Sequence, residues 1–122
     1  MSEYRPGRCN IGSDQRRRRA GIAAVAFAVA AALVAGVAAG VLAGPLVLAA
    51  FVPLAVGFEW AFQSSQAFCV RLALAGEFAF GDDTGSVDDP AARRADQLYA
   101  AHITAASVLL AGAVTAAVAF LL

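Results

Sequence analysis

Polar and apolar positions divide the chain into an arginine-rich head, two long uncharged runs and a mixed segment between them. Ala20 to Phe58 contains no charged residue over 39 positions. At ~1.5 Å per residue this is roughly twice the helix needed to cross a ~30 Å hydrocarbon core. The run must therefore fold back on itself, and Gly40, Gly44 and Pro45 mark the break, because proline removes a backbone donor and disfavours helix at the residue before it. The pattern predicts transmembrane helices at 20–41 and 45–63. Tyr99 to Leu122 is the second run, 24 residues in which only His102 titrates near neutral pH. It offers no turn and reads as a third crossing.

The mixed segment behaves differently. Residues 66–80 are apolar but carry Arg71 and Glu77, and a central arginine costs ~2.5–3.5 kcal/mol even on a lenient insertion scale. The expectation is a short interfacial helix over 66–80, followed by an acidic loop over 81–90 (GDDTGSVDDP). The last helix is then expected over 91–122, with its transmembrane part at about 99–122. Asp88 or Asp89 before Pro90 suits the start of that helix. The fold class is thus an all-α membrane protein with three transmembrane helices plus a short interfacial helix.

Composition agrees. The chain is 61% hydrophobic and 15% charged, against roughly 45–50% and 25% for soluble domains. A soluble alanine-rich bundle is disfavoured by the uncharged runs. A cleaved secretory signal is disfavoured because its apolar core is usually ~7–15 residues, and this one does not stop.

Charge sets the expected orientation. Lys is absent and all nine basic residues are Arg, six of them in the first 19 positions. With three crossings the head (1–19, expected to be disordered in part) and the 64–98 segment share one side and hold every arginine. Positive-inside bias places that side in the cytoplasm and the C-terminus outside. Lysine-free, alanine-rich usage suggests a prokaryote and its cell membrane.

Within the helices, Gly36, Gly40 and Gly44 recur every fourth residue, a spacing that lets helices approach closely. It reads either as a packing or dimerisation face or as the incidental product of an Ala/Gly-rich helix. Phe58, Trp60, Phe62 and Tyr99 form an aromatic belt at the expected boundary.

Candidate chemistry gathers at the arginine side. Cys9, Cys69, His102 and Glu59 supply ligand types for a thiophilic metal such as zinc, though no CxxC or HxxxH spacing supports it. Glu59 lies near the hydrocarbon boundary, where a carboxylate needs a partner or a function; the structural alternative is an ion pair with Arg71. Cys9 and Cys69 could form a reversible disulfide, or be a small or acylatable Cys9 and a buried Cys69. The Gln15–Arg19 run meets anionic headgroups; nucleic-acid binding lacks aromatic interleaving. The acidic loop lacks the ligand order of a calcium loop. No catalytic carboxylate pair, nucleophile elbow or phosphate loop is present, so neither an enzyme nor a cofactor is expected.

Cys9-Asn10-Ile11-Gly12, the Arg16–Arg19 cluster with Gly21, and Phe68-Cys69 after Gln63 together resemble a group of small prokaryotic membrane proteins of unknown function, over most of the chain. In that group the Cys-Asn-Ile-Gly opening and the Phe-Cys step recur together. The resemblance implies that Cys9 and Cys69 form a functional pair, but carries no activity, substrate or cofactor.

The leading expectation is a non-enzymatic accessory or interaction module, with the bilayer and a homo-oligomer or membrane-protein partner as its contacts. The alternatives are a thiol-dependent metal or redox site at Cys9 and Cys69, and a small oligomeric transporter using Glu59 and His102.

Overall fold

The computed structural model describes residues 4–80 and 83–122. The helices α1 (Ser13–Ala38), α2 (Phe51–Gln66) and α4 (Pro90–Leu121) run up, down and up. A 3₁₀ segment, Gly44–Ala50, leads into α2. The short helix α3 (Val70–Ala75) and an antiparallel pair, β1 (Glu77–Phe80) and β2 (Asp83–Ser86), fill the connection from α2 to α4. Three helical stretches are long and apolar enough to cross a membrane: Ser13–Ala38, Gly44–Gln66 and Pro90–Leu121. The fold is all-α in class, with one small hairpin added.

The α1–α2 reversal follows from its glycines. Gly40 adopts φ +78°, which L-residues rarely populate, and so ends α1. The amides of Val41 and Leu42 turn back to the Gly36 carbonyl at 2.9 and 3.0 Å. Leu42 then lies against Gly36 so closely that an added Cβ would come within 2.7 Å of its Cδ1. Gly36 is thus the only one of the three expected packing glycines inside α1. Gly40 and Gly44 belong to the turn and to the start of the 3₁₀ segment, so the three do not share a helix face. The 3₁₀ segment gives way to α2 just before Pro53, which lacks the N–H that an α-helical bond to Ala49 would use.

The close approach of α1 and α2 occurs instead at Gly57, where a Cβ would stand 2.7 Å from the Phe27 ring. Phe27 packs edge-on to Phe58 with centroids 5.2 Å apart, a favoured aromatic geometry. Ala30, Ala50, Leu54 and Ala111 form the buried centre at this level. Ser107 and Thr115 are also buried, and each hydroxyl donates to the carbonyl four residues back, at 2.8 and 2.7 Å. Small and self-satisfied residues therefore fill the interior. Large apolar residues face outward: Leu109 is 73% exposed and Phe120 is 91% exposed. In water such a surface would be untenable over three helices; in lipid it costs nothing.

Two expectations about the connections are corrected. Residues 66–80 do not form one helix: Ala67 is left-handed at φ +53°, Cys69 is extended, and Gly76 at φ +73° ends α3 after six residues. The 81–90 segment is not loop throughout, since Asp83–Ser86 pairs with β1 in the register Glu77↔Ser86; Gly81 and Asp82 lie outside the described residues. Part of the head is ordered, and α1 begins at Ser13, two turns before Ala20. At ~1.5 Å per residue α4 is ~48 Å long, so about 12 of its residues extend beyond a ~30 Å core. Asp89 caps it, accepting from the Ala91 amide at 3.3 Å.

Candidate functional site

The head, the α2–α3 corner, the hairpin and the first turns of α4 interlock into a polar cap at one end of the bundle. Three anchors hold the head down. The first is Asp96, fully buried on α4. Its carboxylate accepts from the Tyr4 hydroxyl at 2.6 Å and from the Gly7 amide at 2.7 Å. Gly7 has φ +66° and approaches α4 so closely that a Cβ would meet that of Ala95 at 3.3 Å. Burial, and then the Asp96 carboxylate, push the Tyr4 phenol well above its ordinary range.

The second anchor is Asn10, also fully buried. Its side chain brackets the backbone of Cys69, accepting from the amide at 2.7 Å and donating to the carbonyl at 3.1 Å. The amides of Asn10 and Ile11 donate to the Ala67 carbonyl at 3.0 and 3.3 Å. Left-handed geometry is costly for alanine, and here it turns that carbonyl toward the head. The third anchor is a strand-like step beside β1: Ala79 donates to the Asn10 carbonyl at 2.9 Å and Gly12 donates to that of Ala79 at 3.1 Å.

Beneath the head lies Arg19, 6% exposed. Its guanidinium donates to Gln63 Oε1 at 3.2 Å, to Gln15, and to Cys69 Sγ at 2.9 Å, and lies 5.3 Å from the Trp60 ring centre. In the sequence Arg19 is the last of a four-arginine run whose charge sets the expected orientation. The structure separates it from its neighbours, because it continues the buried stripe of α1 through Ala23, Ala26 and Ala30. That spacing of four, three and four was legible once the helix was extended back to Ser13.

Between the head and the α2 terminus a cleft of about 490 Å³ opens, lined by Arg5, Arg8, Arg16, Gln66 and Tyr99 among others. Among the described residues, no carboxylate lines it. Arg16 is fixed there by donating to the Ser64 carbonyl at 2.8 Å, while the Ser64 hydroxyl donates to the Arg16 carbonyl at 2.8 Å.

The expected metal ligands are placed apart. Cys9 is half-buried beside the cleft, its thiol facing the Ile11 carbonyl at 3.8 Å. Cys69 is buried under Arg19. His102 is exposed, with Nδ1 2.8 Å from the Leu98 carbonyl. Glu59 accepts from Thr104 at 2.8 Å and, at 3.2 Å, from Ser107, whose single proton it shares with the Ile103 carbonyl. Two hydroxyls on α4 thus replace the expected Arg71 partner and tie α2 to α4. Among the described residues, no group of three or more His, Cys, Asp and Glu is close enough to hold a metal ion. Both cysteines are free. The contact linking the Cys-Asn-Ile-Gly and Phe-Cys steps is between Asn10 and Cys69.

Compared with protein-family models, curated proteins and solved structures, the chain matches none. Its class therefore rests on its own structure, that of a helical membrane protein with three spanning-length helices and an ordered polar cap.

Proposed function

We propose that the chain is a non-enzymatic accessory or interaction module of a prokaryotic cell membrane, with its N-terminus and cap in the cytoplasm and its C-terminus outside. The observation that carries this reading is the contrast between the two ends. All nine arginines belong to the cap end, where buried side chains from four separate segments are locked by long-range hydrogen bonds. The opposite end is a tight turn and a run of apolar residues. A chain that served only as an anchor would have no use for a buried Asn10, Asp96 and Arg19, each of which needs partners to offset its desolvation. Placing the arginines inside follows the charge bias of membrane insertion. The cap then presents α3, the hairpin and the exposed Arg71, Arg93 and Arg94 to a membrane-associated partner.

The test is site-specific photocrosslinking in native membranes. A photoreactive residue at Arg71 or Glu77 should capture one discrete partner protein reproducibly, and the same residue at Val41 should not. Recovery of uncrosslinked chain alone from both cap positions would refute the proposal.

A further inference from the structure

We infer that the cap and the adjoining membrane-level groove form a single binding site for an anionic phospholipid. The inference is independent of any protein partner. The cationic cleft presents Arg5, Arg8 and Arg16 around one opening, and Tyr99 and Gln66 close its floor. Tyr99 donates to Gln66 Oε1 at 2.9 Å, which fixes that floor. The same two residues also line a second, mainly apolar groove of about 240 Å³ between α2 and α4, together with Phe62, His102, Ile103 and Ala106. A basic space thus adjoins a mainly apolar one across the Tyr99–Gln66 pair.

That sequence of chemistries is the profile of an amphiphile bearing a phosphate. Guanidinium groups match phosphate oxygens bidentately and are weakly hydrated, so they suit a partly desolvated headgroup. Among the described residues, the side chains of Arg5 and Arg8 make no hydrogen bond within the protein, which leaves their donors for a ligand. Arg16 is held in place by Ser64. Inorganic phosphate would satisfy the arginines but leave the apolar groove unused, so it shares the chemistry of the headgroup but not of the chain.

Native mass spectrometry of the full chain released from detergent tests this. Phosphatidylglycerol should give one saturable adduct, with phosphatidylcholine at least tenfold weaker. The R5Q/R8Q variant should lose that preference at least tenfold, whereas R71Q/R94Q, which removes the same charge elsewhere on the cap, should retain it. Ala106→Trp, which fills the groove, should weaken phosphatidylglycerol binding, and millimolar inorganic phosphate should not displace the lipid. Equal binding of the two lipids, or equal loss in the two arginine variants, would overturn the site. Displacement by inorganic phosphate together with an unaffected Ala106→Trp would assign the cleft to free phosphate and overturn the lipid reading.

Discussion

Asn10→Ala isolates the contact on which the cap depends. In the native chain the Asn10 side chain is the partner of the Cys69 amide at 2.7 Å, and Cys69 is 2% exposed. Truncation leaves that amide buried without an acceptor, which costs ~1–3 kcal/mol. The Cys69 carbonyl fares better, because it also accepts from the Ala73 amide at 3.0 Å; its loss is one net hydrogen bond, ~0.5–1.5 kcal/mol. Together these come to about 1.5–4.5 kcal/mol. It should appear as local opening of the head from the α2–α3 corner, since the membrane helices pack without it. At ~1.4 kcal/mol per decade the amides of Ile11, Gly12 and Ala79 should lose roughly 10-fold to 1500-fold of their hydrogen-exchange protection. Amides in the middle of α2, at Leu54 to Phe58, should be unchanged. Unaltered protection at Ala79, or uniform loss across α2, would refute the assignment of Asn10 as a local lock.

Three other perturbations probe the same structure. Tyr4 has its phenol pKa raised in the folded cap, so the neutral form is favoured there; stabilisation is full below the ordinary tyrosine value of ~10 and is lost as pH rises through the folded value. Alkaline titration followed by exchange at Gly7 should show cap opening only above about pH 10, and Tyr4→Phe should abolish that dependence. A pH-independent Gly7 in the native chain would contradict the Tyr4–Asp96 contact. Ala67→Gly relieves a left-handed alanine and should stabilise the protein by about 0.5–1 kcal/mol in detergent unfolding; destabilisation would mean that the Cβ has a packing role. Gly57→Leu drives a side chain into Phe27 and should cost at least ~1–3 kcal/mol in the same assay, with partial rescue by Phe27→Ala, whereas an unchanged midpoint would show that α1 and α2 do not meet there.

The membrane helices were legible in the sequence because uncharged runs of this length have few other physical solutions, and the α1–α2 break was legible at Gly40 and Pro45. The cap was far less so. Its parts are joined by contacts between residues 59 and 89 positions apart, such as Asn10 with Cys69 and Gly7 with Asp96, and no local periodicity encodes such pairings. Asp96, close after Arg93 and Arg94 near the start of α4, has the local setting of a solvated residue, yet it faces the head. Ala67 gave no warning of its left-handed conformation, since alanine is the best helix former and tertiary contacts overrode its propensity. Gly57 stands alone and carries no spacing signal, whereas the regular Gly36, Gly40 and Gly44 spacing suggests a helix face that the turn at Gly40 breaks. Both cysteines lie at one end of the bundle, but their chemistry depends on neighbours, and Arg19 and Asn10 occupy Cys69.

Single-cysteine labelling in intact cells tests the proposed sidedness of the cap. In a Cys9→Ala background, with Cys69 buried beneath Arg19, Val41→Cys in the α1–α2 turn and Ser86→Cys in the hairpin report the two ends. An impermeant maleimide added outside should label Val41→Cys at once and Ser86→Cys only after permeabilisation. Labelling of Ser86→Cys in intact cells, with Val41→Cys protected, would contradict that sidedness.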